Sequence, residues 1–85
     1  MKTNDLEKGT RIVLRNGWYG TIKDNARGDI RICEVEGFET EIGSVYSHDI
    51  MYAIIPNENG EHPLVKIEHT PKQLKLRETV ERLMI

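Results

Sequence analysis

Asn16-Gly17 divides two alternating runs, and no other pair in the chain restricts the fold more. Gly9 to Arg15 places Ile12 and Leu14 on one face and Arg11, Val13 and Arg15 on the other. A two-residue turn whose central residues both tolerate a positive φ sends such a strand straight back along itself. The returning strand is then Trp18 to Lys23, with Arg15 facing Trp18 and Leu14 facing Tyr19. Arg15 over the indole would add about 0.5–1 kcal/mol of cation–π attraction. Trp18 and Tyr19 are either core residues, one on each face of the sheet, or an exposed stacking platform.

A second hairpin follows. Asp24 to Asp29 reads as a polar turn, and Ile30 to Glu36 as a strand whose apolar phase shifts between Ile32 and Cys33, as a bulge requires. Gly37-Phe38 suits a type II′ turn, with glycine at the first central position. That register sets Glu36 opposite Glu39 and Glu34 opposite Glu41, so four carboxylates share one face. Val35 then faces Thr40, and Cys33 faces Ile42, on the other side. Opposed like charges destabilise a sheet by about 0.2–1 kcal/mol per pair. The face is either a solvated surface or an acidic docking surface for a basic partner, anchored by Phe38. A hard-cation site fits poorly, because Ca²⁺ takes about six to eight oxygens and a flat strand pair cannot wrap one. Phe38 is exposed if the turn has two residues and tucks into the core if the loop is longer.

The fourth strand should end near Ile42, broken by Gly43-Ser44, with Val45 to Asp49 as a short helical turn. Ile50 to Ile55 and Leu64 to Glu68 read as the fifth and sixth strands. Thr70, Pro71 and Gln73 form the capping-box start of a closing helix. Leu76, Val80, Leu83 and Met84 lie on one helix face and should pack on the strands, while Leu74 lies opposite. The expected fold is mainly β: one domain, 1–85, with a small barrel of five to six strands over about 8–68 and a C-terminal α-helix over about 71–84.

Charge is segregated along the chain. From Ile32 to Val65 there are seven acidic residues and no Lys or Arg; all twelve basic residues lie outside that stretch, although net charge is only −2. The candidate nucleic-acid face is Arg11, Arg15, Lys23, Arg27 and Arg31 with Trp18, basic with an aromatic interleaved. An overall pI near 5.9 argues against a dedicated binder. No apolar run approaches a membrane span, and the N-terminus lacks the apolar segment of a signal peptide. The single Cys33 cannot form an internal disulfide and fits a reducing compartment, so the cytoplasm is expected. His48, His62 and His69 have no partner at zinc-ligand spacing, and Ser44, Ser47, His48 and Asp49 are too generic for a triad. No catalytic residue, cofactor or metal is therefore expected, and an enzyme is the least favoured class.

Lys8-Gly9-Thr10-Arg11-Ile12-Val13-Leu14-Arg15-Asn16-Gly17-Trp18-Tyr19-Gly20-Thr21-Ile22 resembles the opening of SH3-like barrels of the KOW and Tudor kind. The match covers about residues 8 to 55, and its motif is permissive. The stretches Lys2 to Val13, Tyr46 to Ile50 and His69 to Leu76 look like those of short proteins of tailed phages and prophages. That likeness implies an accessory protein acting on host or phage machinery. KOW-type barrels often contact RNA or ribosomal proteins, but the acidic middle of this chain departs from that habit. The expected function is a protein-binding module whose acidic hairpin, Glu34, Glu36, Phe38, Glu39 and Glu41, docks on a basic host surface, such as the phosphate-binding groove of a nucleic-acid-handling or defence enzyme. A nucleic-acid or ribonucleoprotein-binding barrel and a self-associating phage component are the alternatives.

Overall fold

A computed structural model describes residues 1–25 and 28–83. Six strands form one antiparallel sheet: β1 (Arg11–Leu14), β2 (Tyr19–Asp24), β3 (Ile30–Glu36), β4 (Thr40–Tyr46), β5 (Ile50–Ile54) and β6 (Leu64–Lys66), with α1 (Pro71–Leu83) closing the chain. The spatial order is β4-β3-β2-β1-β5-β6. The first four strands meander, and β5 returns to pair with β1 after a 3₁₀ turn at Ser47–Asp49. The mainly β fold with a C-terminal helix is as the alternating pattern indicates. The sheet is open, however, not a closed barrel, and β4 and β6 are its edges.

Alternation decides what the sheet buries. Ile12 and Leu14 of β1, Ile22 of β2, Cys33 of β3 and Ile50 and Ala53 of β5 form one core, with Leu6 and Ile67 folded over it. Ile12, Ile22 and Ile50 are wholly excluded from water, each contributing about 1.5–3 kcal/mol of hydrophobic stabilisation. Register shifts between Val13 and Leu14 and between Ile22 and Asp24 let the sheet coil around this face. The expected bulge therefore lies beside the Ile32–Cys33 step, but Lys23 of β2 is the extra residue, not a residue of β3.

Both hairpins are one residue longer than the two-residue turns predict. Val13 pairs with Tyr19, and Leu14 N–H donates to Trp18 O at 2.8 Å, leaving a loop of Arg15, Asn16 and Gly17. Gly17 alone takes a positive φ, +89°, so the type I′ turn that needs Asn16 there as well does not form. Glu36 pairs with Thr40 across a loop of Gly37, Phe38 and Glu39. A one-residue slip carries every side chain of a strand to the other face. Glu34 thus pairs with Ile42, and Glu41 pairs with Val35 on the opposite face. β4 also runs unbroken through Gly43-Ser44 to Tyr46.

The helix is capped as expected: Gln73 N–H donates to Thr70 Oγ1 at 3.2 Å and Thr70 N–H to Gln73 Oε1 at 2.9 Å. Its packing differs. No helix residue is buried, Leu76 and Val80 are half-buried, and Leu83 is exposed; Met84 lies outside the described residues. The helix rests on the Ser47–Asp49 turn rather than across the sheet. His69 Nε2 to Ile50 O, 2.9 Å, and an Arg15–Glu81 ion pair tie it down.

Candidate docking groove at the hairpin tips

The two loops bring Trp18 and Phe38 together. A Cβ on Gly37 would lie 2.6 Å from Trp18 Cζ3 and 2.8 Å from Cη2, so only glycine lets the indole sit over the second loop. Phe38 meets that indole edge-on, with ring centroids 5.6 Å apart and planes at 78°. Phe38 is 98% exposed although its loop has three residues, so loop length did not decide its burial. Trp18 is 39% and Tyr19 47% exposed, which places both on the surface rather than in the core.

Two adjoining hollows flank the indole. One, of about 280 Å³, is lined by Trp18, Val35, Gly37, Phe38, Glu39 and Glu41. The other, of about 330 Å³, runs from Trp18 and Val35 past Leu14 and Val45 to Tyr46, Arg15 and Asp49. Trp18 and Val35 line both, so together they make one groove between the hairpins. Its floor is apolar and its rim carries carboxylates.

The expected acidic face is divided between two environments. Glu36 accepts both Arg11 guanidinium N–H groups, at 2.7 and 3.1 Å, and this holds its carboxyl below the ordinary range. Glu34 stands 3.6 Å from Lys23 Nζ. These two glutamates stay on the outer face, charge-matched by β1 and β2. Glu39 and Glu41 have no ion-pair partner among the described residues and line the groove with Phe38. Charges far apart in sequence thus neutralise one another in space, and among the described residues two of the four carboxylates hold no ion pair.

The predicted basic face does not assemble. Arg11 is held by Glu36 and lies 5.7 Å over the Tyr19 ring, where the cation–π contact occurs instead of at Arg15 and Trp18. Arg15 is paired with Asp49 at 2.9 Å and with Glu81. Arg31 is 1% exposed. It donates to Asn4 Oδ1 (2.6 Å), Gly28 O (2.7 Å), Ile30 O (3.0 Å) and Asn25 Oδ1, tying the N-terminal segment to the sheet. Arg27 lies outside the described residues. Among the described residues no cationic stripe surrounds Lys23 and Trp18.

Below the groove, the His48 ring stacks on Tyr46 at 5.0 Å and 11° and is fully buried. Among the described residues neither of its ring nitrogens has a hydrogen-bond partner, Asp49 Oδ1 stands 3.6 Å from Nε2, and burial pulls its pKa down against the pull of Asp49. Burial likewise pushes the Cys33 thiol up to about 11, which leaves it protonated and unreactive. Among the described residues no group of three or more His, Cys, Asp or Glu is arranged to hold a metal ion. Nor is any helix there long and apolar enough to cross a membrane. Sequence reasoning missed Tyr46, Val45 and Asp49 as groove residues. Their signal was the alternation of Val45 with Ser44 and Tyr46, masked by reading Gly43-Ser44 as a break.

Fold and site define a small antiparallel β protein with an aromatic, acid-rimmed groove at one end. A scan against protein-family models and searches of curated proteins and of solved structures find no match for the chain.

Proposed function

We propose that the protein is a protein-binding module that takes a basic segment of its partner into the groove between the hairpin tips. One observation carries this reading: Phe38, 98% exposed and braced on Trp18, stands beside two carboxylates that no basic side chain among the described residues neutralises. An exposed aromatic costs solubility and is suited to burial as an interface anchor. Glu39 and Glu41 supply the charge complement and steer a basic partner towards it. The meander β1 to β4, with β5 returning to β1 past a 3₁₀ turn, supports an SH3-like kinship. On the phage likeness, the partner is a cytoplasmic protein of the host that presents a basic surface.

The test is an affinity pull-down from bacterial lysate with and without nuclease, using the native chain, Phe38→Ala and the double variant Glu39→Gln/Glu41→Gln. A partner that survives nuclease and is lost from both variants is the expected result. A partner lost on nuclease treatment, or held equally by all three proteins, would sink the proposal.

A further inference from the structure

The two edges of the sheet are built differently. β6 is three residues long, follows Pro63 and ends at Lys66. Those are the devices that keep an edge from pairing with another chain. β4 has seven residues with no Pro and no Lys, and its ladder with β3 is unbroken by any register shift. Ile42, near its centre, is 66% exposed. The one charge on this edge is Glu41, on the inner face.

Its hydrogen-bonding groups can be assigned. Gly37 N–H donates to Glu39 O at 3.2 Å and Ser47 N–H to Asp29 O at 2.8 Å, at the two ends of the β3–β4 ladder. Antiparallel alternation between these ends turns Glu41, Gly43 and Val45 towards β3. The N–H and C=O groups of Thr40, Ile42, Ser44 and Tyr46 then point out of the sheet.

We infer that β4 pairs antiparallel with β4 of a second copy of this chain, about a two-fold axis at Gly43. In that register Ile42 bonds Ser44 of the second copy and Thr40 bonds its Tyr46. It is the one symmetric register that uses all four outward residues. Glu41 lies opposite Val45 of the second copy, and the two Glu41 residues stand about 13 Å apart, four residues at strand rise. Ile42 meets Ile42 and Tyr46 of the second copy diagonally on the outer face, which covers its exposed surface. Gly43 has no side chain, so the two copies would meet at the axis through backbone alone. Glu41, Val45 and Tyr46 also line the groove, so pairing sets the second copy's β4 beside the groove's β4 wall.

Sedimentation equilibrium, with amide hydrogen exchange of the native chain at low and high concentration, tests this inference. The native chain should reach twice its 9.8 kDa mass as concentration rises. The amides of Ile42 and Ser44 should gain protection in step with it. Ser44→Pro removes an outward N–H that the β3 ladder does not use, and Ile42→Lys puts a charge on the edge. Both should sediment as monomers and melt like the dilute native chain. A native chain that stays at 9.8 kDa up to millimolar concentration would overturn the inference, as would dimers persisting in Ser44→Pro. Exchange at Ile42 and Ser44 that ignores concentration would overturn it too.

Discussion

The two hairpins close on loops of equal length, yet the glycine in each serves a different purpose. Gly17 takes a φ of +89°, and a Cβ there would meet nothing within 4 Å. It is glycine because of its backbone. Gly37 stays outside the positive region, and a Cβ there would strike the Trp18 ring. It is glycine because of a neighbour contributed by the other hairpin. A glycine between two strands is a turn signal in the first case and a packing signal in the second, and only tertiary contacts tell them apart. The register of β3 and β4 depends on that distinction, and with it the separation of Glu34 and Glu36 from Glu39 and Glu41.

The hairpins also differ in how each uses an arginine, and the largest expected effect lies there. Arg31 of β3 is buried and makes four hydrogen bonds to backbone and amide oxygens. Arg31→Met strands those acceptors and frees the N-terminal segment, a loss of about 3 kcal/mol or more. Arg11 of β1 is exposed and ion-paired, so Arg11→Met should cost much less. Urea unfolding of the two variants measures both. Equal losses would mean that Arg31 is not the pin between the N-terminal segment and the sheet.

Next comes the pair of glycines. Gly37→Ala must push the indole aside, an overpacking cost of about 1–3 kcal/mol. Gly17→Ala only strains a left-handed residue, at about 1 kcal/mol. Stability alone separates them weakly, but fluorescence does so sharply, because Trp18 is the single tryptophan. Emission should shift in Gly37→Ala and stay unchanged in Gly17→Ala. A shift in both would make the loops one coupled unit and remove the contrast.

What the sequence made legible follows the same division. The number and order of the strands, the capping box at Thr70 and Gln73, and the apolar face from Ile12 to Ile22 all come from local patterns, and the structure contains them, although β4 runs on to Tyr46 past the expected break at Gly43-Ser44. The apolar phase shift between Ile32 and Cys33 is not a bulge of β3: Ile30 and Ile32 face outward and Arg31, Cys33 and Val35 inward in unbroken alternation, and the extra residue is Lys23 of β2. What was not legible rests on long-range partners. Three of the four oxygens that make a buried Arg31 tolerable, those of Asn4, Asn25 and Gly28, lie outside its strand. The acidic hairpin looked unopposed because Arg11 and Lys23, its counter-charges, lie earlier in the chain on strands that the fold brings alongside.

Acid loads one hairpin and spares the other. β4 runs directly into His48, whereas the β1–β2 hairpin contains no histidine. Burial lowers the pKa of His48 from 6.5; Asp49 opposes that shift, and Arg15, Arg77 and His69 add to it. The unfolded chain therefore takes up this proton first. The contribution to stability is complete above the ordinary histidine value and is lost as pH falls below it towards the folded value. Denaturant midpoints should decline between about pH 7 and pH 5.5, and His48→Asn should flatten that decline. A native midpoint that is constant over the range would mean that His48 gains a partner on protonation.

The smallest stability effect belongs to the carboxylates, and it separates the two hairpin environments most directly. Glu34→Gln/Glu36→Gln removes the partners of Lys23 and Arg11, so the melting temperature should fall slightly and that loss should shrink in high salt. Glu39→Gln/Glu41→Gln removes charges that hold no ion-pair partner among the described residues, so melting should not change. Capture of a basic partner should show the reverse order. The groove pair should slow association, while the ion-paired glutamates, already screened by their arginine and lysine, should leave it nearly unaltered. If the outer pair slowed association as much as the groove pair, the steering field would belong to the whole hairpin. Docking would then have to be reassigned from the groove to the open face of the sheet.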